Sequence, residues 1–184
     1  MSYIPSPEEA IQILKEYNKD DFHILHANTV GEVLKHFASI YDKDNQEYWQ
    51  VVGILHDIDY ELYPKEHCVK AEQLLKARNI DENMIRSIMS HGYGICSNIK
   101  PVSFMEKILY TVDELTGLIW ATALMRPSKS VMDLEPKSVI KKFKQISFAK
   151  AINRQTILDG LEMLNMEMNE LISMTIDGMR KMEQ

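Results

Sequence analysis

The stretch "DFHILHANTVGEVLKHFASIY", Asp21 to Tyr41, decides the fold. His26, Val30, Val33/Leu34 and Phe37 recur at i, i+4, i+7/8 and i+11, with Tyr41 a turn further on. That is the 3.6-residue period of an amphipathic helix, not the alternation of a strand. The same period appears on either side. Ser6-Pro7-Glu8-Glu9 is a capping box with Pro at the first helical position, and it predicts a helix to about Tyr17. Further helices are expected over about Asn45–His56, Pro64–Asn79 and Val102–Leu124. Another is capped by Asp81, with Met84, Ile85, Ile88 and His91 facing inward. Pro127 to Pro136 reads as a loop before a short basic helix, and a long Met-rich helix is expected from about Asn153 to Met182. Strand-like alternation is absent, so the expected class is all-α, a helical bundle.

With 184 residues the chain is long enough for one domain with a substantial core, expected to span 1–184. No window approaches the ~18 consecutive apolar residues of a membrane span. The opening MSYIPSPEEA has no basic region followed by an apolar stretch, so neither a signal peptide nor a membrane partner is expected. Two cysteines, Cys68 and Cys96, make no disulfide framework and fit half-buried thiols in a cytoplasmic protein. The net charge of −6 argues against a general nucleic-acid binder, and no nucleic-acid partner is expected. Charge is unevenly spread, however. From Arg126 to Arg154, eight basic residues stand against Asp133 and Glu135. That run is either a solvated face or a wall facing an anion.

The polar residues that fall on apolar stripes are more informative. His26, His67 and His91 lie on inward faces. His56 and Asp57 follow the apolar run Val51–Leu55, and Asp113 sits inside "KILYTVDELTGLIWATAL". Burying each without a partner would cost ~1–3 kcal/mol or more. A metal ion removes that cost for all of them together, since neutral imidazoles and carboxylates are its ligands. His23 is a candidate supporting group one turn before His26. His36 lies beside Glu32 on what reads as a wet face. Asp59 and Glu61 are expected near the rim of the site.

In order, spacing and helical context, His26, His56-Asp57 and Asp113 resemble the H…HD…D signature of the HD-domain superfamily, HDIG type, whose members are metal-dependent phosphohydrolases. The likeness covers roughly Leu25 to Leu124, within an HD core of about 21–125. The basic loop and C-terminal helices, 126–184, follow it. The resemblance implies a helical bundle around a His/Asp metal site. His26, His56, Asp57 and Asp113 would bind one metal, and Asp57 would bridge to a second held by His67 and His91. Asp57 would be the catalytic residue. "SHGYG" lacks the doubled histidine of the HD-GYP subgroup, so the resemblance does not imply cyclic-di-GMP as substrate.

The expected cofactors are two divalent metal ions from among Fe, Mn, Co, Ni, Zn and Mg, which suit mixed nitrogen and oxygen ligands. Two such ions generate a hydroxide and clamp a phosphoryl oxygen during in-line attack. The expected activity is therefore hydrolysis of phosphomonoesters or phosphodiesters. The expected partner is a small, phosphorylated, nucleotide-like substrate. Arg126, Lys129 and Lys141 are the candidate phosphate-binding residues. The alternatives are a di-iron HD-fold oxygenase and a non-catalytic binding or signalling module. The Met-rich last helix is read as core or as a homodimer face.

Overall fold

Side-chain caps set the helix starts. In the computed structural model, which describes residues 2–184, the Ser6 hydroxyl accepts from the Glu9 N–H and the Glu9 carboxylate accepts from the Ser6 N–H, opening α1 (Pro7–Tyr17). Asp20 caps α2 (Asp21–Tyr41), and Asp81 caps α5 (Glu82–Met89). Ser103 and Glu106 form a second capping box at α6 (Phe104–Leu124), and Asn153 caps α8 (Arg154–Leu164). The remaining helices are α3 (Gln46–Leu55), α4 (Val69–Ala77), α7 (Pro136–Phe143) and α9 (Met168–Arg180). Only isolated bridges, Tyr3 with Ile80 and Tyr93 with Ser97, have strand-like pairing among the described residues. The fold is all-α, as expected from the periodicity.

One contiguous apolar core draws on all nine helices, from Leu14, Phe37, Ile54 and Leu75 to Ile88, Leu115, Val139, Ile157 and Ile176. Fully burying a side chain of this size contributes ~1.5–3 kcal/mol. Helices α2 and α3 approach most closely at Gly31 and Gly53, where a Cβ on Gly53 would lie only 2.7 Å from the Gly31 Cα. This approach sets the end of α3, and so the place of His56, against the middle of α2. Helix α6 packs against α2, where Trp120 donates to the Thr29 hydroxyl at 3.3 Å.

Several element boundaries differ from expectation. The long Met-rich helix is two helices, because Asn165 adopts a left-handed conformation (φ 50) and ends α8. Met166, Met168 and Met174 pack against the core and Met179 is inside it, so these methionines serve mainly as core. The segment from Pro64 opens as a single 3-10 turn, Pro64–Glu66, and α4 begins only at Val69, with His67 extended between them. His91 lies past the end of α5, in the 3-10 turn Ser90–Gly92. Tyr41 is 48% exposed and packs on Phe104 at the rim. The cysteines are a further correction: Cys68 and Cys96 are joined by a disulfide with a Cα separation of 5.9 Å. The two turns they occupy meet only in the folded chain, 28 residues apart in sequence, and local pattern carries no signal of that.

Candidate functional site

Six side chains from five separate segments converge at the end of α3. His26 comes from α2, His56 from the C-cap of α3, Asp57 from the following turn and Asp113 from the middle of α6. His67 comes from the link between the turn Pro64–Glu66 and α4, and His91 from the 3-10 turn Ser90–Gly92. Asp57 is the hub. Its Oδ2 lies 3.7 Å from His26 Nε2 and 3.4 Å from His56 Nε2. Its Oδ1 lies 3.4 Å from His67 Nε2 and 3.3 Å from His91 Nε2. Asp113 Oδ1 closes the first group at 3.0 Å from His26 and 3.2 Å from His56. The structure thus brings together His26, His56, Asp57, His67, His91 and Asp113, in two groups that share Asp57. Ligand atoms within each group lie within 4.8 Å of one another, an arrangement able to hold an ion.

The ring nitrogens facing away from the centre are already engaged. His56 Nδ1 donates to the Gly53 carbonyl and His91 Nδ1 to the Ile88 carbonyl, each at 2.6 Å. His67 Nδ1 donates to Asp59 at 2.8 Å. In the neutral rings the Nε2 lone pairs then point inward. Those of His67 and His91 face each other at 3.1 Å, and both face a carboxylate oxygen. Acceptors opposed at that distance repel unless positive charge lies between them. The pKa directions carry the same message. Burial opposes charge on His56, but Asp57 and Asp113 outweigh it and raise the imidazole well above its usual range. Burial would raise the Asp57 and Asp113 carboxyls, yet the surrounding imidazoles hold both well below the ordinary range. Burial likewise opposes charge on His67, and its hydrogen bond to Asp59 raises it nonetheless. The centre favours a positive guest, whether proton or cation.

Three supporting residues carry no clear signal in the sequence or take a role other than the expected one. Asp59 is fully buried rather than at the rim. One of its oxygens accepts from His67 and the other from the Ala71 N–H at 2.9 Å. Glu61 accepts from the Lys19 and Asp20 N–H groups and from His23 at 3.1 Å, which ties His23 to the start of α2 and not to the centre. Glu114, beside Asp113, is pushed up to about 7 by burial and by the Asp113 charge. A cavity of about 340 Å³ opens onto the centre, with Phe22, Tyr60 and Ile95 at its walls. A larger groove of about 580 Å³ adjoins it across Ile95 and Thr156 and is lined by Tyr93, Tyr110, Lys100, Asp159 and Glu162.

The basic run lies elsewhere. Arg126 is paired with Asp133 at 2.9 Å, Lys129 occupies an exposed turn (φ 51), and Lys141 is exposed on α7. None of these three lines the cavity at the centre. Arg154, counted with the run by its charge, instead donates to the main-chain carbonyls of Lys142, Phe143, Gln145, Phe148, Ala149 and Ile152. It latches the basic loop to the start of α8.

Among curated proteins, the chain is similar to a tRNA (cytidine(56)-2'-O)-methyltransferase from Picrophilus torridus (strain ATCC 700027 / DSM 9790 / JCM 10055 / NBRC 100828 / KAW 2/3), with 29% identity over 131 residues. The match covers 64% of this chain and 38% of that protein, so the larger part of the relative lies outside it. No family model and no solved structure matches the chain.

These findings correct the expectation of an HD-domain, HDIG-type phosphohydrolase. The relative is named for methyl transfer to tRNA, not for hydrolysis of phosphoesters. The phosphohydrolase activity falls with it, and so do two divalent metal ions as hydrolytic cofactors, since methyl transfer calls for a methyl donor. The small phosphorylated substrate and the absence of a nucleic-acid partner are overturned as expectations too, since the relative is named for tRNA. The oxygenase and signalling alternatives gain no support. The physical reason is general: a fold and a constellation of polar residues constrain what can bind, and do not by themselves choose the reaction. Net charge is a weak guide to partners for a related reason, because it averages over a local run of eight basic residues.

Proposed function

We propose that this chain serves tRNA 2'-O-methylation as a helical module, one domain over 1–184, that holds the RNA. The observation that carries this reading is the match between 64% of the chain and part of a tRNA methyltransferase. Two features support it. The basic run offers Lys141, Lys144 and Lys150 as exposed cations, and phosphate contacts of that kind supply most of the affinity for RNA. The groove beside the centre presents Tyr93 and Lys100, an aromatic and a cationic group of the kind that unpaired bases stack on and pair with. His26, His56, Asp57, His67, His91 and Asp113 are proposed to ligate a cation, with Asp57 shared between the two halves. A tRNA-directed role belongs in the cytoplasm, and no helix among the described residues is long and apolar enough to cross a membrane.

The test is binding of an unmodified tRNA transcript across a salt series, with duplex DNA as control. The chain is expected to prefer tRNA. Lys141→Glu/Lys144→Glu/Lys150→Glu should weaken binding at least tenfold. It should also flatten the salt dependence, by roughly 0.7–0.9 in the log–log slope for each phosphate that is no longer neutralised. Equal affinity for duplex DNA, or a triple variant that binds like wild type, would overturn the reading. Methyl transfer from S-adenosylmethionine to tRNA by the chain alone would leave RNA binding intact but refute the confinement to holding RNA.

A further inference from the structure

Cys68 and Cys96 sit against the His/Asp centre. Cys68 directly follows His67. Its backbone occupies the left-handed region (φ 69), where a residue with a Cβ is strained. Cys96 closes the tight loop after His91. Its N–H donates to the Gly92 carbonyl at 2.9 Å, and Gly94 N–H donates to the Ser97 carbonyl at 2.9 Å. A Cβ on Gly92 would collide with both sulfurs, so the bridge passes directly over the turn that carries His91. The two sulfurs therefore join the segment of His67 to the segment of His91, whose Nε2 atoms oppose each other at 3.1 Å. Their access differs. Cys68 is 2% exposed, whereas Cys96 is half-buried and lines the cavity that opens onto the centre.

We propose that Cys68 and Cys96 form a thiol–disulfide exchange site, reached by small disulfides and thiols through this cavity, which fastens His67 to His91 when oxidised. In the forward direction the Cys96 thiolate attacks one sulfur of a small disulfide such as oxidised glutathione. That S–S bond breaks, one glutathione thiolate leaves, and a mixed disulfide forms on Cys96. The Cys68 thiolate then attacks Cys96 Sγ and expels the second glutathione. The two cysteines lose two electrons and two protons, and oxidised glutathione is reduced to two thiols. In reverse, a glutathione thiolate enters at Cys96 and buried Cys68 is the leaving group. Reduction frees Cys68 to relax from its left-handed conformation and unfastens His67 from the turn of His91.

The experiment needs neither RNA nor activity, so it stands apart from the tRNA reading. The full chain is equilibrated across a series of reduced-to-oxidised glutathione ratios, approached from both sides. Free thiols are trapped with a maleimide and counted by mass. The expected result is the gain or loss of both tags in one reversible two-electron step. Histidine ring signals recorded on the same samples should shift for His67 and His91 and hold still for His36. In Cys96→Ser the ring signals should match reduced wild type at every ratio. If that variant does not fold, the wild-type titration decides alone. Thiols tagged at all ratios, thiols protected at all ratios, or ring signals that ignore the opening of the bridge would each overturn the proposal.

Discussion

Asp59 shows how a single buried carboxylate can set the geometry of a neighbour. It is out of water, and both oxygens are engaged, one by His67 and one by the first turn of α4. Asp59→Ala should cost ~1–3 kcal/mol, because the Ala71 N–H loses its acceptor and the His67 ring loses its anchor. Asp59→Asn keeps an oxygen for one of the two donors and should lose less. Urea unfolding of both variants measures the difference, and equal midpoints for Asp59→Ala and wild type would refute this role. His36 gives a pH dependence of known sign. Burial lowers its pKa, and its Nδ1 has no hydrogen-bond partner. The unfolded chain therefore binds a proton on His36 at higher pH than the folded chain does. The stability it contributes is fully present above the ordinary imidazole value of about 6.5 and is lost as pH falls through the lowered folded value. The slope for one proton is at most about 1.4 kcal/mol per pH unit. His56 and His67, raised instead, bend the wild-type curve the other way. The comparison must therefore be with His36→Gln, which retains both of those residues. Urea midpoints at pH 7.5 and 5.5 should fall further in wild type than in His36→Gln.

At the scale of elements, the crossing of α2 and α3 places His56, and it depends on the absence of two side chains. In Gly53→Ala the new methyl group meets the backbone of Gly31 and Val30, which cannot yield without parting the helices. A loss of ~1–3 kcal/mol is expected. Gly117→Ala is the control, since its methyl group meets only the far end of the Ile152 side chain, and it should lose under about 1 kcal/mol. Thermal unfolding of the two variants side by side checks the ordering. The helices themselves are legible in the sequence because apolar residues at a 3.6-residue period leave few alternatives. His26, His56, Asp57 and Asp113 stand out because they interrupt such stripes or end them. His67 and His91 stand out as well, but not the local structure that carries them. His67 lies in the extended link that follows a 3-10 turn and His91 lies in a 3-10 turn, where α-helical spacing says nothing about direction. The partnership of Asp59 with His67 is hidden for the same reason. Asn165 is readable in principle, since asparagine is among the residues that tolerate the left-handed conformation at a helix end. A run of methionines on both sides of it masks the break. The reaction is not legible, because six converging polar residues define a preference for positive charge and leave the substrate open.

At the scale of the whole molecule, charge is divided between two regions with different tasks. The centre concentrates carboxylates and imidazoles at the end of α3, while the basic residues gather on α7 and the loop after it. Arg154 joins that second region to the core, because its guanidinium is spent on main-chain carbonyls from Lys142 to Ile152 and not on an external anion. The fork geometry matters, since a lysine ammonium cannot reach several divergent carbonyls at once. Arg154→Lys therefore preserves charge and removes the latch, which separates shape from electrostatics. A hydrogen bond to a charged group contributes ~1.5–3 kcal/mol, and water replaces part of that at a half-buried site. A net destabilisation of about 2 kcal/mol is expected for Arg154→Ala, and somewhat less for Arg154→Lys. The more specific signature is local. Cleavage by trypsin after Lys144 and Lys150 should become severalfold faster in both variants, while the core helices α2 and α6 stay protected. If the loop also presents Lys141, Lys144 and Lys150 to tRNA, Arg154→Lys should weaken tRNA binding without altering net charge. Trypsin cleavage unchanged in Arg154→Lys would mean that the carbonyl hydrogen bonds do not hold the loop, and the basic surface would then owe its shape to α7 alone.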